Sequence, residues 1–313
     1  MYLLNLFCYL ITVLAGGTGS IKLIRGLSSI TSELFIIVNV GDNFWLHGLY
    51  ICPDIDTTIY GLAGILDKKR GWGIKNDSFN FIKNMKKLDE DSWFKIGDKD
   101  LITHIIRTKL INEGLSLSQA TRYICRKYRI QNDVIPATDT PIETRIVTDK
   151  GDLNIQDFWV KFKGKPRVHD VYYNNIENAK SNKQVIKSLR SSRSIIIAPG
   201  NPVSSIGPII SIKSVYEELK SNKDKIIAIS PIIGRKPISG PAGKYLKSKK
   251  IEISPLGIAN FYSKFISKFV FHNSDLNFAD SIMNINVKTY NTNIIMRNKR
   301  DEVNLAKFIS TIW

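Results

Sequence analysis

The chain has 313 residues, of which 43% are hydrophobic and 23% are charged. This composition is typical of a folded globular protein and excludes a disordered or fibrous chain. The formal net charge of +17 suits a polyanionic partner such as nucleic acid, or a phosphorylated small substrate. The basic runs at 68–70 and 247–250 are short, and no recognition helix or RNA-binding signature accompanies them. We therefore expect a scattered surface charge and no nucleic-acid partner.

The N-terminal run from Met1 to Ala15 is nearly all apolar. No Lys or Arg precedes it, as one would in a signal peptide, and it is shorter than the roughly 20 residues of a membrane-spanning helix. Cys8, Cys52 and Cys125 are far apart and form no C-x-x-C pair, which argues against a disulfide framework or a zinc cage. We predict a cytoplasmic protein without a membrane partner, and residues 1–9 are left without a role.

The first third of the chain alternates between strands and helices. Apolar strands are predicted at about 10–15 and 34–40, and helices follow them at about 21–27 and 54–66. Continuous apolar strands separated by helices indicate a parallel sheet that is covered on both faces.

The middle of the chain has a different pattern, without alternating buried strands and helices. Residues 75–130 are predicted to be helical and more polar, with one apolar face over 116–128. A hairpin follows, with strands at 144–148 and 158–162 and a turn at 149–152. A second α/β segment has strands at 194–198 and 225–230.

These elements predict an α/β, Rossmann-like, doubly wound and mainly parallel sheet with an inserted helical and hairpin region. We expect a single domain over 1–313. Its core covers about 10–70 and 194–313, and the insertion about 71–193.

Ligands of open α/β sheets bind beyond the carboxyl ends of the strands, and four loops lie there. The first contains Gly16, Gly17, Thr18 and Gly19. Successive glycines let backbone N–H groups approach an anion at the N-terminus of the following helix. An ordinary tight turn between a strand and a helix explains the same residues. This loop is therefore a candidate phosphate site only together with the other three.

The second and third loops carry acidic residues. Asp42 directly follows the strand at 34–40, which suits a magnesium ligand or a substrate anchor, and equally a turn cap. His47 follows shortly after, as a candidate catalytic residue or a hydrogen-bonded structural one. Asp54 and Asp56 begin a helix, where two carboxylates can share a metal or simply complement the helix dipole.

The fourth loop follows the strand at 194–198. It contains Asn201, Ser204 and Ser205, whose N–H and O–H groups suit phosphate or sugar binding. The loop after the next strand, with Gly234, repeats this style. Two buried strands that both end in loops rich in Pro, Gly and Ser indicate a shared ligand.

Seven segments together resemble the 2-phospho-L-lactate transferase family of deazaflavin coenzyme (coenzyme F-420) biosynthesis. The segment at 38–57, with WLHGL-x-ICPD-x-DT, is the most specific of them. In family order they are LAGGTGSIKLIRGL (14–27), VNVGDNFWLHGLYICPDIDT (38–57), AGILDKKRGWGIKNDSF (63–79), PIETRIVT (141–148), IAPGNPVSSIGPII (197–210), AISPIIGRKPISGPAGK (228–244) and FVFHNSD (269–275).

The resemblance implies a magnesium-dependent homodimeric phosphotransferase. Such an enzyme moves a 2-phospholactyl or phosphoenolpyruvyl group from a guanosine diphosphate-linked donor to the ribityl hydroxyl of the deazaflavin Fo, and it releases GMP. Under this hypothesis Asp42 and Asp54 hold Mg²⁺, and Asp42, Asp54, Asp56 and His47 form the catalytic group. The nucleotide lies against the residues of the glycine and serine loops, which are Gly16, Gly17, Thr18, Gly19, Asn201, Ser204, Ser205 and Gly234.

The chain departs from the family pattern at three positions. Asn43 stands where a second acid is expected, which puts a Gly-Asp-Asp metal cluster in doubt; His272 replaces a common acid, and Arg235 a usual glycine. Two rival functions remain, a nucleotide-sugar-binding regulator with the same core and a nucleic-acid-binding protein. The acidic segment at 52–57 favours the enzyme, because a regulator without turnover has no need of it.

Overall fold

The computed structural model describes residues 10–313, and the interpretation of residues 1–9 lies outside that range. The strands are β1 (Ile11–Ala15), β2 (Leu34–Val38), β3 (Phe44–Leu46), β4 (Leu49–Ile51), β5 (Asp133–Pro136), β6 (Glu143–Thr148), β7 (Gly151–Asn154), β8 (Val168–Asn174), β9 (Ser194–Ile197), β10 (Ile226–Ile229), β11 (Ile232–Ile233), β12 (Lys236–Pro237), β13 (Lys268–His272) and β14 (Lys288–Thr292). The helices are α1 (Gly17–Ser28), α2 (Pro53–Leu62), α3 (Asn80–Lys87), α4 (Asp98–Asn112), α5 (Leu117–Lys127), α6 (Lys183–Ser191), α7 (Gly207–Ser211), α8 (Lys213–Ser221), α9 (Ala242–Ser248), α10 (Pro255–Tyr262), α11 (Ala279–Met283) and α12 (Lys299–Ser310).

Seven strands form the central sheet in the order β14-β13-β10-β9-β1-β2-β5. All pairings within this sheet are parallel. The chain runs outward from β1 to β5, returns beside β1 with β9, and then runs outward in the other direction. The strand order therefore reverses between β1 and β9, and ligands of such sheets bind at the carboxyl ends beside the reversal. The predicted Rossmann-like α/β fold is confirmed.

The central strands are buried along their whole length, which is why their sequences are apolar without alternation. Every residue of β1, β2, β9 and β10 is buried, and Ile and Val dominate because β-branched side chains pack well on a pleated surface. Helix α1 packs against α2 and α12, and α6 packs against α8. The sheet is thus a rigid platform whose end loops can be held in fixed positions.

The segment between α2 and β9 contains a second sheet. Strands β7, β6 and β8 form an antiparallel sheet, and the turn predicted at 149–152 joins β6 to β7. The strand predicted at 158–162 is wrong, because Asp157–Lys161 is a single π-helical turn. Phe158 is buried, whereas Trp159 and Phe162 are exposed. Trp159 and Phe162 are three residues apart and therefore lie on the same side of a helical turn. Strand β5 also lies in this segment and yet pairs with β2 in the central sheet.

Two further expectations concern membranes and thiols. None of the helices between residues 10 and 313 is long and apolar enough to cross a membrane. Cys52 and Cys125 are buried free thiols, and burial raises the pKa of both to about 12, so neither is reactive at neutral pH. Cys8 lies outside the described residues.

Candidate active site

The glycine loop after β1 is held against two other loops by contacts that only glycine permits. Gly17 has a φ of +72°, and its N–H donates to Asp54 Oδ1 at 2.8 Å. A Cβ atom on Gly16 would lie 2.7 Å from the Cβ of Ser205, and one on Gly19 would meet the loop after β9 even more closely. The structure therefore brings the glycine loop, the start of α2 and the serine loop together at the reversal point of the sheet.

Asn39, at the carboxyl end of β2, connects these loops, although it was not among the candidate residues. Its side chain is fully buried. The Nδ2 atom lies 3.0 Å from Asp42 Oδ1, 2.9 Å from Asp54 Oδ2 and 3.2 Å from the carbonyl oxygen of Ser204. Its Oδ1 accepts the N–H of Gly41 at 2.9 Å. The opposite amide orientation would set an oxygen against two carboxylates, so these contacts decide the orientation.

Asp42 and Asp54 form a pair of carboxylates that share one amide donor. Burial, and then the charge of Asp54, raise the pKa of Asp42 well above its usual range. Burial likewise raises the pKa of Asp54, and the bonds from Asn39 and from the N–H of Gly17 oppose this. Two such carboxylates repel each other unless a proton or a cation lies between them.

The pair fits a magnesium ion. Mg²⁺ in proteins usually takes one or two carboxylates and completes its octahedron with waters and substrate phosphates. Within residues 10–313 no group of three or more His, Cys, Asp or Glu side chains has the arrangement to hold a metal. The protein therefore offers two carboxylates at this place, which is the donor set of an ion bound together with a phosphorylated substrate.

Asp56 binds other partners than the Asp42–Asp54 pair does, and its catalytic role stays a prediction. The guanidinium of Arg107 binds both of its oxygens, with one nitrogen 3.1 Å from Oδ2. His104 Nδ1 is 3.5 Å from the same Oδ2. The reason is helical geometry, because residues two apart on a helix are rotated by about 200° from each other. Asp54 therefore faces the strand ends, and Asp56 faces α4.

His47 occupies the tip of the hairpin formed by β3 and β4. It has a φ of +50°, and Gly48 has one of +71°, as in the tight turns that match the twist of a hairpin. The His47 ring lies 6.3 Å from that of Phe81, edge to face. Within residues 10–313 the structure does not bring His47 into contact with Asp42 or Asp54.

The loop after β9 presents two hydroxyls. Asn201 accepts the N–H groups of Val203 and Ser204 at 3.0 and 3.3 Å and so caps the π-helical turn Pro202–Ile206. Its side-chain oxygen is thus used within the loop. Ser204 and Ser205 are each only 5% exposed, and across residues 10–313 neither hydroxyl has a hydrogen-bond partner. Single π-helical turns of this kind are frequent at functional sites.

Gly234 and Thr18 lie at the same edge of the sheet. The N–H of Gly234 donates to both oxygens of Asp275, at 2.9 and 3.1 Å, so it is already paired. Asp275 is 3% exposed and was not among the candidate residues. Thr18 is exposed on the first turn of α1, and its methyl group lies 3.2 Å from where a Cβ on Gly71 would be.

The sequence matches the model of the family 2-phospho-L-lactate transferase CofD over residues 11–306. The chain belongs to this family. A 2-phospho-L-lactate transferase of Methanosarcina mazei is 40% identical over 265 residues, which cover 84% of this chain and 87% of the relative. The corresponding protein of Methanococcoides burtonii is 38% identical over 303 residues, covering 96% and 98%. That of Methanocaldococcus jannaschii is 39% identical over 307 residues, covering 96% and 97%.

Among solved structures, the chain is similar to a member of the UPF0052 family from Bacillus halodurans. The TM-score is 0.66 at 13% identity, and the match covers 98% of this chain and 100% of the other. At this identity the similarity concerns the fold alone. The transferase relatives, which are far more similar and span nearly the whole chain, show that this member of the CofD family is a transferase enzyme.

Two further residues of the transferase lie beside the carboxylates and the serine loop, and only Asn43 of the two was noted in the sequence. Tyr173, on β8, donates its hydroxyl to the carbonyl oxygen of Val203 at 2.5 Å and so ties the second sheet to the serine loop. Asn43, where a second acid was expected, is buried and donates to Tyr50 at 3.4 Å. Because Asn43 is neutral, it adds no further carboxylate beside Asp42 and Asp54.

Proposed function

We propose that this transferase moves a 2-phospholactyl or phosphoenolpyruvyl group from a guanosine diphosphate-linked donor to the ribityl hydroxyl of Fo, in coenzyme F-420 biosynthesis. The hydroxyl oxygen forms a bond to the phosphorus that carries the three-carbon group. The bond from that phosphorus to the oxygen of the GMP phosphate breaks, and GMP leaves with the electron pair. The hydroxyl proton is released to a base or to solvent.

One observation carries this proposal. Asn39 holds the Asp42 and Asp54 carboxylates beside a serine loop with two unpaired hydroxyls and beside a glycine loop, at the reversal point of the sheet. Phosphoryl transfer needs little covalent chemistry from a protein, and it depends on positioning and on neutralising charge. The site provides anion donors and cation ligands within one group of loops.

The donor diphosphate is assigned to the glycine and serine loops. The hydroxyls of Ser204 and Ser205 donate to phosphate oxygens or to the sugar, and the glycine loop offers backbone N–H groups at the start of α1. Asn201 acts by capping the serine loop, and Gly234 by fixing the next loop against Asp275, because the Asn201 side-chain oxygen and the Gly234 N–H are already paired. Both are therefore assigned to shaping the nucleotide site.

Asp42 and Asp54 are assigned to Mg²⁺. The bound ion would neutralise charge that develops on the phosphoryl oxygens during transfer. Burial raises the pKa of both carboxylates in the protein alone, and the charge of Asp54 raises that of Asp42 further, so a bound cation would stabilise the ionised pair. The acceptor is assigned to the side of the β3–β4 hairpin, where Trp45 is 55% exposed and His47 lies at the tip. We further propose a homodimer in the cytoplasm.

Chelation tests the metal assignment. Purified protein, Fo and the guanylated donor should release GMP with Mg²⁺ present, release none in EDTA, and recover on re-addition of Mg²⁺. Full turnover in the chelator would contradict the assignment of Asp42 and Asp54. Binding of the donor without GMP release under any condition would instead favour the nucleotide-binding regulator.

A further inference from the structure

A buried ion pair joins helix α4 to the start of α2. Arg107 is 0% exposed and Asp56 is 4% exposed. The guanidinium donates to both carboxylate oxygens of Asp56. It also lies 3.4 Å from the carbonyl oxygen of Tyr50, in the second strand of the β3–β4 hairpin. One side chain of α4 thus contacts the two segments that flank Cys52, namely the last strand of the hairpin and the first turn of α2.

Further polar contacts extend this network along α4. His104 lies between two carboxylates, with Nδ1 3.5 Å from Asp56 Oδ2 and Nε2 3.4 Å from Asp100 Oδ1. Tyr60, about one turn further along α2 than Asp56, donates its hydroxyl to Asp100 at 2.6 Å. The side chains of Asp56, Asp100, His104 and Tyr60 are all buried. Helices α4 and α2 are therefore joined at two levels, at Asp56 and at Tyr60, by polar groups that water does not screen.

The hairpin is attached to α4 at a second point. The N–H of Tyr50 donates to the hydroxyl of Thr108 at 2.8 Å, while its carbonyl oxygen faces Arg107. Side chains of α4 therefore bind both the N–H and the carbonyl group of Tyr50. Helix α4 belongs to the segment inserted between α2 and β9. The hairpin carries His47 and begins two residues after Asp42.

We propose that Arg107 is a positioning residue for the transfer reaction. By holding Asp56 and the Tyr50 carbonyl together, it sets the first turn of α2, from which Asp54 reaches Gly17 and Asn39, and the orientation of the hairpin beside Asp42. This inference rests on the role proposed above for Asp54. Arg107 itself does not touch the carboxylate pair, and its effect passes through Asp56 and through the backbone of residues 50–54.

We expect the Asp56–Arg107 pair to act through its geometry rather than through a contribution to stability. Replacing a buried ion pair by apolar side chains of similar volume is often neutral or stabilising, whereas removing one partner is strongly destabilising. We therefore expect apolar side chains at positions 56 and 107 to maintain a stable core. Apolar side chains lack the planar guanidinium of Arg107, which holds the Asp56 carboxylate and the Tyr50 carbonyl at the same time.

Two variants separate positioning from folding. Asp56→Leu with Arg107→Met removes both charges and keeps apolar packing. Arg107→Lys keeps Asp56 and one positive charge but removes the fork. The matched control is Glu302→Leu with Arg25→Met, which removes another largely buried pair, between α12 and α1. Each protein is examined by thermal melting, by kcat and KM for donor and acceptor, and by hydrogen exchange of peptides covering residues 49–62.

If Arg107 positions the start of α2, the kcat of the double variant should fall by about 100-fold, which is the cost of a misplacement of roughly 1 Å. The KM of the donor should change little. Arg107→Lys should lose less. Exchange of residues 49–62 should accelerate in both variants while the folded state persists to normal temperatures. The control pair should leave kcat and the exchange of this segment at wild-type values.

Two results would overturn the proposal. Wild-type kcat in both variants would show that the pair is structural only. A reduced kcat with unchanged exchange over 49–62 would show that Asp56 acts directly. Failure of the proposed function gives a different pattern, because the wild-type protein would then release no GMP. The exchange measurement does not depend on turnover and would still decide whether Arg107 orders the start of α2.

Discussion

Replacing Asn39 by Asp should destabilise the metal-free transferase and reduce transfer. The substitution keeps the shape of the side chain and keeps an acceptor for the Gly41 N–H, which now lies 2.9 Å from Oδ1. It replaces the Nδ2 group, which faces Asp42 at 3.0 Å and Asp54 at 2.9 Å, by an oxygen that cannot donate. Three carboxylates would then meet at the end of β2.

The magnitude follows from the two lost bonds. A hydrogen bond to a charged group contributes about 1.5–3 kcal/mol, so the loss of both costs about 3–6 kcal/mol. The unfolding entropy of a 313-residue chain is about 0.66 kcal/mol/K at roughly 2.1 cal/mol/K per residue. The melting temperature should therefore fall by about 5–9 °C.

Differential scanning calorimetry in EDTA at pH 7 measures this change without a cation that would mask the repulsion. The deficit should shrink near pH 5, because protonation of the introduced carboxyl restores a donor. Asn182→Asp is the matched control, since Asn182 caps α6 through Oδ1 and its amide donates only to a neutral hydroxyl. An Asn39→Asp melting temperature equal to that of the control would refute the assignment of Asn39 as the connection between the carboxylates.

Three further predictions concern the carboxylates and the serine loop. Asp54→Asn should lower kcat by at least about 100-fold, whereas a residue that only caps α2 would cost about 1 kcal/mol of stability and leave turnover intact. Because burial and Asp54 raise the pKa of Asp42 in the folded protein, the stability that Asp42 contributes to the metal-free protein should be lost as pH rises from the unfolded pKa of about 3.9 through the raised folded pKa. Asp42→Asn should therefore raise the melting temperature in EDTA at pH 7, and an unchanged value would contradict the repulsion. Ser204→Ala with Ser205→Ala should weaken guanosine diphosphate binding by at least about 10-fold in calorimetry and leave any salt-sensitive DNA retention unchanged; an unaltered nucleotide affinity would mean that the serine loop is only structural.

Local sequence patterns were sufficient for much of the fold. Mostly apolar runs of five to seven residues followed by Gly or Pro predicted β1, β2, β9 and β10, because strands buried on both faces leave that signature. Since parallel strands present their carboxyl ends at one edge, the loops with Asp42 and Ser204 could be expected near each other. The strand order could not be read, and it is the adjacency of β1 and β9 that presses Ser205 against Gly16.

What the sequence missed depends on contacts between distant residues. Asn39 and Ser204 are 165 positions apart, and Asp56 and Arg107 are 51 apart, so no local pattern links them. Asp56 was grouped with Asp54 by proximity in sequence, although two steps along a helix turn the side chain to another side. The π-helical turn at 157–161 was read as a strand, because a short aromatic run does not distinguish the two by periodicity alone.

The most direct test of the proposed transfer is mass spectrometry of the products formed by the purified protein with Fo, Mg²⁺ and a guanosine diphosphate-linked phospholactate or phosphoenolpyruvate. Equal amounts of GMP and of Fo carrying the phosphorylated three-carbon group are expected, and neither product in EDTA; Asp54→Asn should form both products at least about 100-fold more slowly. Unmodified Fo together with intact donor would contradict the proposed transfer. Release of GMP without modified Fo would contradict the assignment of the acceptor.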